Sequence, residues 1–285
     1  MSERSERVNQ HSVKVPHSAG EERAGGMSAE EGLRAQDVVV RFGGLTALDG
    51  VSVHAPPGRI TGLIGPNGAG KTTLFNVCSG LQQAAAGKVS LDGEDLARHG
   101  PSRRARMGLG RTFQRLELFT TMTVRENVEF GVEARWLSWD PVSQLGLRSA
   151  GRARRREIKR DADEVLRDTG LYPLADRVVG SLSTGQGRLV ELARAMARRP
   201  RILLLDEPSS GLDPAESRAF GELLRDLVAL RGIGILMVEH DMSLVLDICD
   251  WIFVLDFGRP LMAGTANEVR TSPEVQAAYL GKDAA

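Results

Sequence analysis

Apolar residues recur along this chain in two periods. Val38-Val39-Val40 and Val51-Ser52-Val53 are β-branched runs bounded by glycine, residues 202–205, 234–238 and 252–255 are short apolar runs, and 59–64 leads into a glycine-rich turn; all predict strands. Residues 162–169 and 189–197 instead place apolar side chains three and four apart, the helical period. The stretch from about 124 to 199 reads as mostly helical, and 71–79 reads as a helix after a glycine-rich turn. Asp213 has the features of an N-cap, with Pro214 at the first helical position and Glu216 three residues after the cap. That helix is expected to run to Arg231 and stop at Gly232. Continuous apolar strands alternating with helices predict an α/β fold on a parallel sheet covered on both faces. No internal repeat interrupts the pattern.

Residues 1–34 do not share it. They hold three Val and one Leu among six Glu and five Lys+Arg, with no Ile and no aromatic. Such a segment buries too little apolar surface to offset its ordering entropy, so a disordered tail is expected. Met27 is an alternative start, which would make the first 26 residues an over-long reading frame.

Composition narrows the function classes. The 285 residues carry 37 Lys+Arg against 37 Asp+Glu, and a chain that binds nucleic acid by bulk electrostatics needs a basic excess, so no nucleic-acid partner is expected. No apolar run approaches the roughly 18 residues of a membrane span, and the N-terminus lacks the apolar core of a secretory signal. Cys78 and Cys249 have no paired spacing, which disfavours a disulfide scaffold or zinc cluster and suits a reducing cytosol. The neutral sum hides one excess: Arg148, Arg152, Arg154, Arg155, Arg156, Lys159 and Arg160 are offset by Glu157 alone. This stretch is either a solvated helix face or a site beside anionic lipid. The 32 glycines exceed the roughly 7% of average proteins, so their placement matters.

Gly65-Pro66-Asn67-Gly68-Ala69-Gly70-Lys71-Thr72, followed by Thr73, matches G-x-x-x-x-G-K-[ST] between an apolar strand and a helix. Glycines let the backbone wrap a phosphate with its N–H groups pointing inward and the helix N-terminus behind. Lys71 then reaches the β- and γ-phosphates, and the Thr72 hydroxyl is placed to ligate Mg²⁺. GTPases, kinases and ATPases share this loop, but a guanine-reading N-K-x-D is missing. The strand 202–205 ends in Asp206-Glu207-Pro208. At the end of a buried parallel strand beside the phosphate loop, Asp206 is placed to hold Mg²⁺ through water. Glu207 is placed to orient or deprotonate a water attacking the γ-phosphate. Leu182-Ser183-Thr184-Gly185-Gln186 opens a helix before this strand, and His240 follows the strand 234–238. Singly, each of these is a weak signal.

In this order, from about residue 35 to 285, the set resembles the ATP-binding cassette (ABC) family. The resemblance makes Phe42 the aromatic that stacks on adenine, 65–73 the Walker A loop and Gln114 the Q-loop glutamine, a further Mg²⁺ ligand and part of the catalytic set with Lys71, Glu207 and His240. It makes 182–186 the signature loop, 203–206 the Walker B strand, 210–213 the D-loop and His240 the switch histidine. It implies a RecA-like P-loop NTPase core with an antiparallel β-subdomain, an inserted helical subdomain at about 115–195 and a C-terminal extension at about 258–285. It also implies two cassettes facing head to tail. Ser183, Gly185 and Gln186 of one, with Asp213, then complete the ATP site on the other. The signature departs from the usual L-S-G-G-Q at Thr184 but keeps the Ser and the second Gly. Gly187 is an unexplained cost inside a helix, about 1 kcal/mol relative to Ala.

Arg41-Phe42-Gly43-Gly44-Leu45-Thr46-Ala47-Leu48, Arg111-Thr112-Phe113-Gln114, Leu118-Phe119, Met122-Thr123-Val124, a long insert at about 133–160, Val238-Glu239-His240-Asp241-Met242 and Tyr279-Leu280-Gly281 resemble the ATPase subunits of branched-chain amino acid importers. The resemblance implies ATP and Mg²⁺ as cofactors. The implied partners are integral membrane permease subunits, a second ABC ATPase (a copy or a paralogue) and, through the permease, a periplasmic or lipid-anchored solute-binding protein. The implied location is the cytoplasmic face of the membrane. Segment 114–127, with apolar Phe113, Leu116, Leu118, Phe119 and Met122, is expected to receive a coupling helix of the permease or to be ordinary subdomain packing. Two rivals are an ATPase of a lipid or lipopolysaccharide exporter and a soluble, non-transport ABC ATPase. Only 45 residues follow His240, too few for an added regulatory domain.

Overall fold

The computed structural model describes residues 30–112, 116–136 and 148–280. The chain opens with β1 (Leu33–Phe42), β2 (Leu45–Ala55) and β3 (Ile60–Ile64), then α1 (Lys71–Ser79), β4 (Ala86–Leu91) and β5 (Glu94–Asp95). After α2 (Pro101–Arg106) and β6 (Leu109–Arg111) comes a helical segment of α3 (Val124–Trp136), α4 (Arg148–Asp168) and α5 (Thr184–Met196). The chain then alternates: β7 (Ile202–Asp206), α6 (Pro214–Arg231), β8 (Gly234–Val238), α7 (Met242–Ile248) and β9 (Trp251–Asp256). It closes with β10 (Arg259–Gly264), α8 (Ala266–Thr271) and α9 (Pro273–Leu280).

Two sheets result. The order β10-β9-β3-β8-β7-β6 makes the central one, and β2-β1-β4-β5 makes a smaller antiparallel one. β9, β3, β8, β7 and β6 are parallel, while β10 pairs antiparallel with β9. β3, β7 and β8 are buried at every position, the signature of strands covered on both faces. Alternation along β7 shows the two coverings directly: Leu203 and Leu205 join the core under the helices, while Ile202 and Leu204 join the core under the antiparallel sheet. β1 and β2 have mixed burial, as expected of a sheet with one wet face.

The caps follow from local chemistry. Asp213 accepts from the N–H groups of Ala215 and Glu216, Glu216 closes the capping box, and Gly232 ends α6 at φ 63°. Two boundaries differ from the sequence expectation. Leu33 is 2% exposed and pairs with Ala55 and Leu91, so the segment expected to be a tail up to residue 34 yields its last two residues to β1. Residues 259–264 form β10 and complete the central sheet, so the elements beyond that sheet reduce to α8 and α9. Tyr279 packs on the core from α9, and burial pushes its phenol up to about 12. Among the described residues, no helix is long and apolar enough to cross a membrane.

Close neighbours distinguish two helical glycines. A Cβ at Gly131 of α3 would lie 2.5 Å from the Arg194 carbonyl oxygen of α5. Gly187, which the sequence left without a reason, is buried in α5, and a Cβ there would meet Leu116 Cδ1 at 3.3 Å. The first neighbour is rigid backbone and the second is a flexible side chain. Gly131→Ala therefore carries an overpacking cost of about 1–3 kcal/mol and should lower the thermal midpoint. Gly187→Ala should be neutral or stabilising, because Leu116 can give way while helix propensity improves by about 1 kcal/mol. Thermal denaturation of both variants checks this; equal destabilisation contradicts it.

Candidate functional site

The site forms where the central strands end. β3 delivers the chain at Ile64 into the loop 65–70, and α1 begins at Lys71. Leu63 lies opposite Val238, and Val238 lies opposite Asp206, so β3, β8 and β7 finish level with one another. Open α/β sheets bind ligands at the carboxyl ends of their strands. Two glycines shape the loop. Gly65 takes φ 151°, and a Cβ there would lie 2.1 Å from the Leu255 carbonyl oxygen; Gly70 takes φ 96°, with Leu48 Cδ2 at 2.6 Å from any Cβ. The Lys71 ammonium lies buried inside the loop, donating to the Gly65 carbonyl at 2.6 Å and to that of Pro66 at 3.1 Å. Asn67, Gly68 and Thr72 are exposed, Pro66 and Ala69 buried, and Thr73 half-buried.

Asp206 closes β7 at 5% exposure. Burial pushes its carboxyl above the ordinary aspartate range, against the opposing pull of Arg111 and Lys71. Arg111 from β6 reaches Asp206 at 3.2 Å and also donates to Asn76 Oδ1 at 2.9 Å and Ser79 Oγ at 2.7 Å on α1. One guanidinium thus ties β6, β7 and α1 together. Glu207 follows in the left-handed region at φ 50°, its N–H held by the Val238 carbonyl at 2.9 Å. Its Oε1 lies 2.7 Å from His240 Nε2. The carboxylate expected to act on the attacking water and the expected switch histidine are therefore paired across the ends of β7 and β8.

The donors suit Mg²⁺ in kind. Thr72 and Asp206 offer oxygen ligands, and among the described residues no cluster of three His, Cys, Asp or Glu forms a self-sufficient metal site. Such a set fits an ion that completes its shell with phosphate oxygens and water. Gln114, expected to be a further ligand, lies with Phe113 outside the described residues.

The residues 183–186 stand in a second group. Ser183 caps α5, accepting from the Gln186 N–H at 3.2 Å, while Gln186 Oε1 accepts from the Ser183 N–H at 3.2 Å. A Cβ at Gly185 would lie 2.7 Å from Glu216 Oε1, so this helix start abuts the start of α6 and its cap Asp213. Phe42 ends β1 and is 49% exposed, and its strand partner Leu45 is more exposed still. Two charged side chains beside the site carry no signal in the sequence: Arg111, whose partners are distant along the chain, and Glu239, buried in the turn after β8.

Lys71→Ala removes a charged donor from the loop. Charge-assisted hydrogen bonds contribute about 1.5–3 kcal/mol, so nucleotide affinity should fall about 10- to 100-fold in an equilibrium titration. Unchanged affinity contradicts a phosphate-binding role for this loop.

Known proteins resemble the chain over most of its length. The family model "ABC transporter" matches residues 48–210. The chain is 40% identical over 250 residues to BraF of Pseudomonas aeruginosa, a high-affinity branched-chain amino acid transport ATP-binding protein, covering 88% of this chain and 98% of that one. It is 38% identical over 249 residues to LptB of Acidithiobacillus ferridurans, a lipopolysaccharide export system ATP-binding protein, covering 87% and 96%. Among solved structures, the ADP conformation of an ATP-binding cassette of an ABC transporter superposes with a TM-score of 0.76 at 32% identity, covering 88% of this chain and 99% of the other.

Proposed function

The chain belongs to the ABC transporter family, and from that premise we infer that it is the ATP-hydrolysing subunit of an importer, powering uptake of branched-chain or other hydrophobic amino acids through separate permease subunits. The observation that carries this reading is the end-to-end likeness to BraF, over 98% of that relative, joined to an intact phosphate loop and a Glu207–His240 pair at 2.7 Å. The LptB likeness is the specific observation behind the second reading, a lipopolysaccharide-type exporter.

Each residue has a role in hydrolysis. The backbone of 65–70 and Lys71 hold the β- and γ-phosphates, and Phe42 stacks on the adenine. Thr72, Gln114 and, through water, Asp206 would hold Mg²⁺, which when bound would neutralise charge on the phosphates. Glu207 orients the attacking water or takes its proton, and His240 holds Glu207 and the γ-phosphate side of the site. Ser183, Gly185 and Gln186 of a second cassette, with Asp213, close the site from the other side, a helix N-terminus aimed at an anion. The partner cassette is a copy or a paralogue, and a periplasmic or lipid-anchored solute-binding protein delivers the substrate to the permease.

Two surfaces support a position on the cytoplasmic face of the membrane. Phe119 and Phe130 are exposed beside each other, ring centroids 4.9 Å apart, in a depression lined by Leu118, Gly131, Glu191 and Arg194 that suits a helix from the permease. Arg154, Arg155, Arg156, Lys159 and Arg160 are exposed on α4, where each could add about 1 kcal/mol of attraction to anionic lipid.

Deleting the gene should abolish high-affinity leucine uptake, measured with radiolabel in whole cells. Wild-type chain should restore it. Glu207→Gln should not, although it is made and binds ATP. Unimpaired uptake with a defect in lipid export would favour the LptB-like reading instead.

A further inference from the structure

Glu239 has no role in the scheme above, yet it is 2% exposed, and a carboxylate is costly to bury unless its oxygens are satisfied. Its oxygens take up backbone groups from two different loops. Oε1 accepts the Ser209 N–H at 2.7 Å, in the turn that follows β7. Oε2 accepts the His240 N–H at 3.1 Å, in the turn that follows β8. Burial still pushes its carboxyl above the ordinary glutamate range, against the pull of these N–H groups, the Ser209 hydroxyl and the Asp241 N–H.

The place of these bonds matters. The β7–β8 ladder has its last pair at Asp206 and Val238, and the one backbone bond beyond it runs from the Glu207 N–H to the Val238 carbonyl. Past that point the two chains separate, one toward Asp213 at the start of α6, the other toward Asp241 at the start of α7. The Glu239 carboxylate is the cross-link where the ladder stops. Glu207 lies two residues before Ser209, at φ 50°, and His240 is the next residue after Glu239. The 2.7 Å Glu207–His240 contact therefore spans the same two turns that Glu239 joins.

We propose that Glu239 is a positioning residue that locks the turn carrying Glu207 and Ser209 to the turn carrying His240. Segment 207–213 and His240 then move as one unit with their spacing held, and a partner pressing on 210–213 shifts Glu207 and His240 together. The second half of this statement rests on the cassette reading given above; the first half rests on the hydrogen bonds alone.

Glu239→Gln tests it, because the amide keeps the shape and one acceptor oxygen but turns an N–H₂ toward a backbone N–H. Hydrogen exchange on the full chain should show 207–213 and 239–241 losing protection together, with β7 and β8 unchanged. Loss in one turn only, or in neither, overturns the lock. In steady-state ATP hydrolysis, kcat should fall at least about tenfold with KM and ATP affinity within about twofold of wild type, since geometry rather than binding is lost. The same substitution in a His240→Ala background should add little further loss, because the two act as a unit. A fall in kcat matched by an equal fall in folded fraction, or an unchanged kcat, overturns the catalytic consequence. Should Glu239→Gln not fold, Ser209→Ala removes the hydroxyl donor alone and should loosen both turns in the same direction by less. If the wild-type chain hydrolyses no ATP, the cassette reading fails, while the exchange experiment still decides the lock.

Discussion

Three parallel strands that end level with one another are the constraint on which the rest of the structure depends. With β8 between β3 and β7, the phosphate loop, the Asp206-Glu207 pair and His240 emerge from one edge of one sheet. A parallel sheet buried on both faces holds that edge rigidly, because slipping any strand by one residue would turn its side chains into the wrong core. The chemistry needs positions fixed to within a fraction of an ångström. The aliphatic runs of these strands therefore serve function as much as stability.

Around that edge, distant elements are tied in by a few polar links. Arg111 binds β6 and α1 to Asp206 through bonds of 2.7–3.2 Å. Capping boxes at Ser183 and Asp213 fix the starts of α5 and α6, which come together where Gly185 faces the Glu216 carboxylate. Glu239 joins the turns after β7 and β8. Each link sits where regular backbone pairing has run out, which is where a side chain is needed to set the geometry.

Much of this was legible in the sequence because its causes are local. The phosphate loop, the Asp213–Glu216 box and the Gly232 stop depend on neighbours within a few residues, and β7, β8 and α6 fall where the pattern puts them. For His240, spacing alone is a weak signal, and only the family resemblance proposes a role. What was not legible depends on partners far along the chain. Leu33 looks like a stray apolar residue in a polar tail until β2 and β4 cover it. β10 carries Pro260 and half-exposed positions, as an edge strand does, so it has no aliphatic run to announce it. Gly187 makes sense only beside Leu116, and Arg111 and Glu239 only beside Asp206 and Ser209.

The central claim is that the site at these strand ends hydrolyses ATP in step with import of a hydrophobic amino acid. It is tested most directly by assembling the chain with its permease and paired cassette in proteoliposomes and measuring ATP hydrolysis with and without the leucine-loaded solute-binding protein. The account predicts a rate raised several-fold by the loaded protein and accompanied by leucine entry. A robust ATP hydrolysis indifferent to that protein, with no leucine transported, would contradict it.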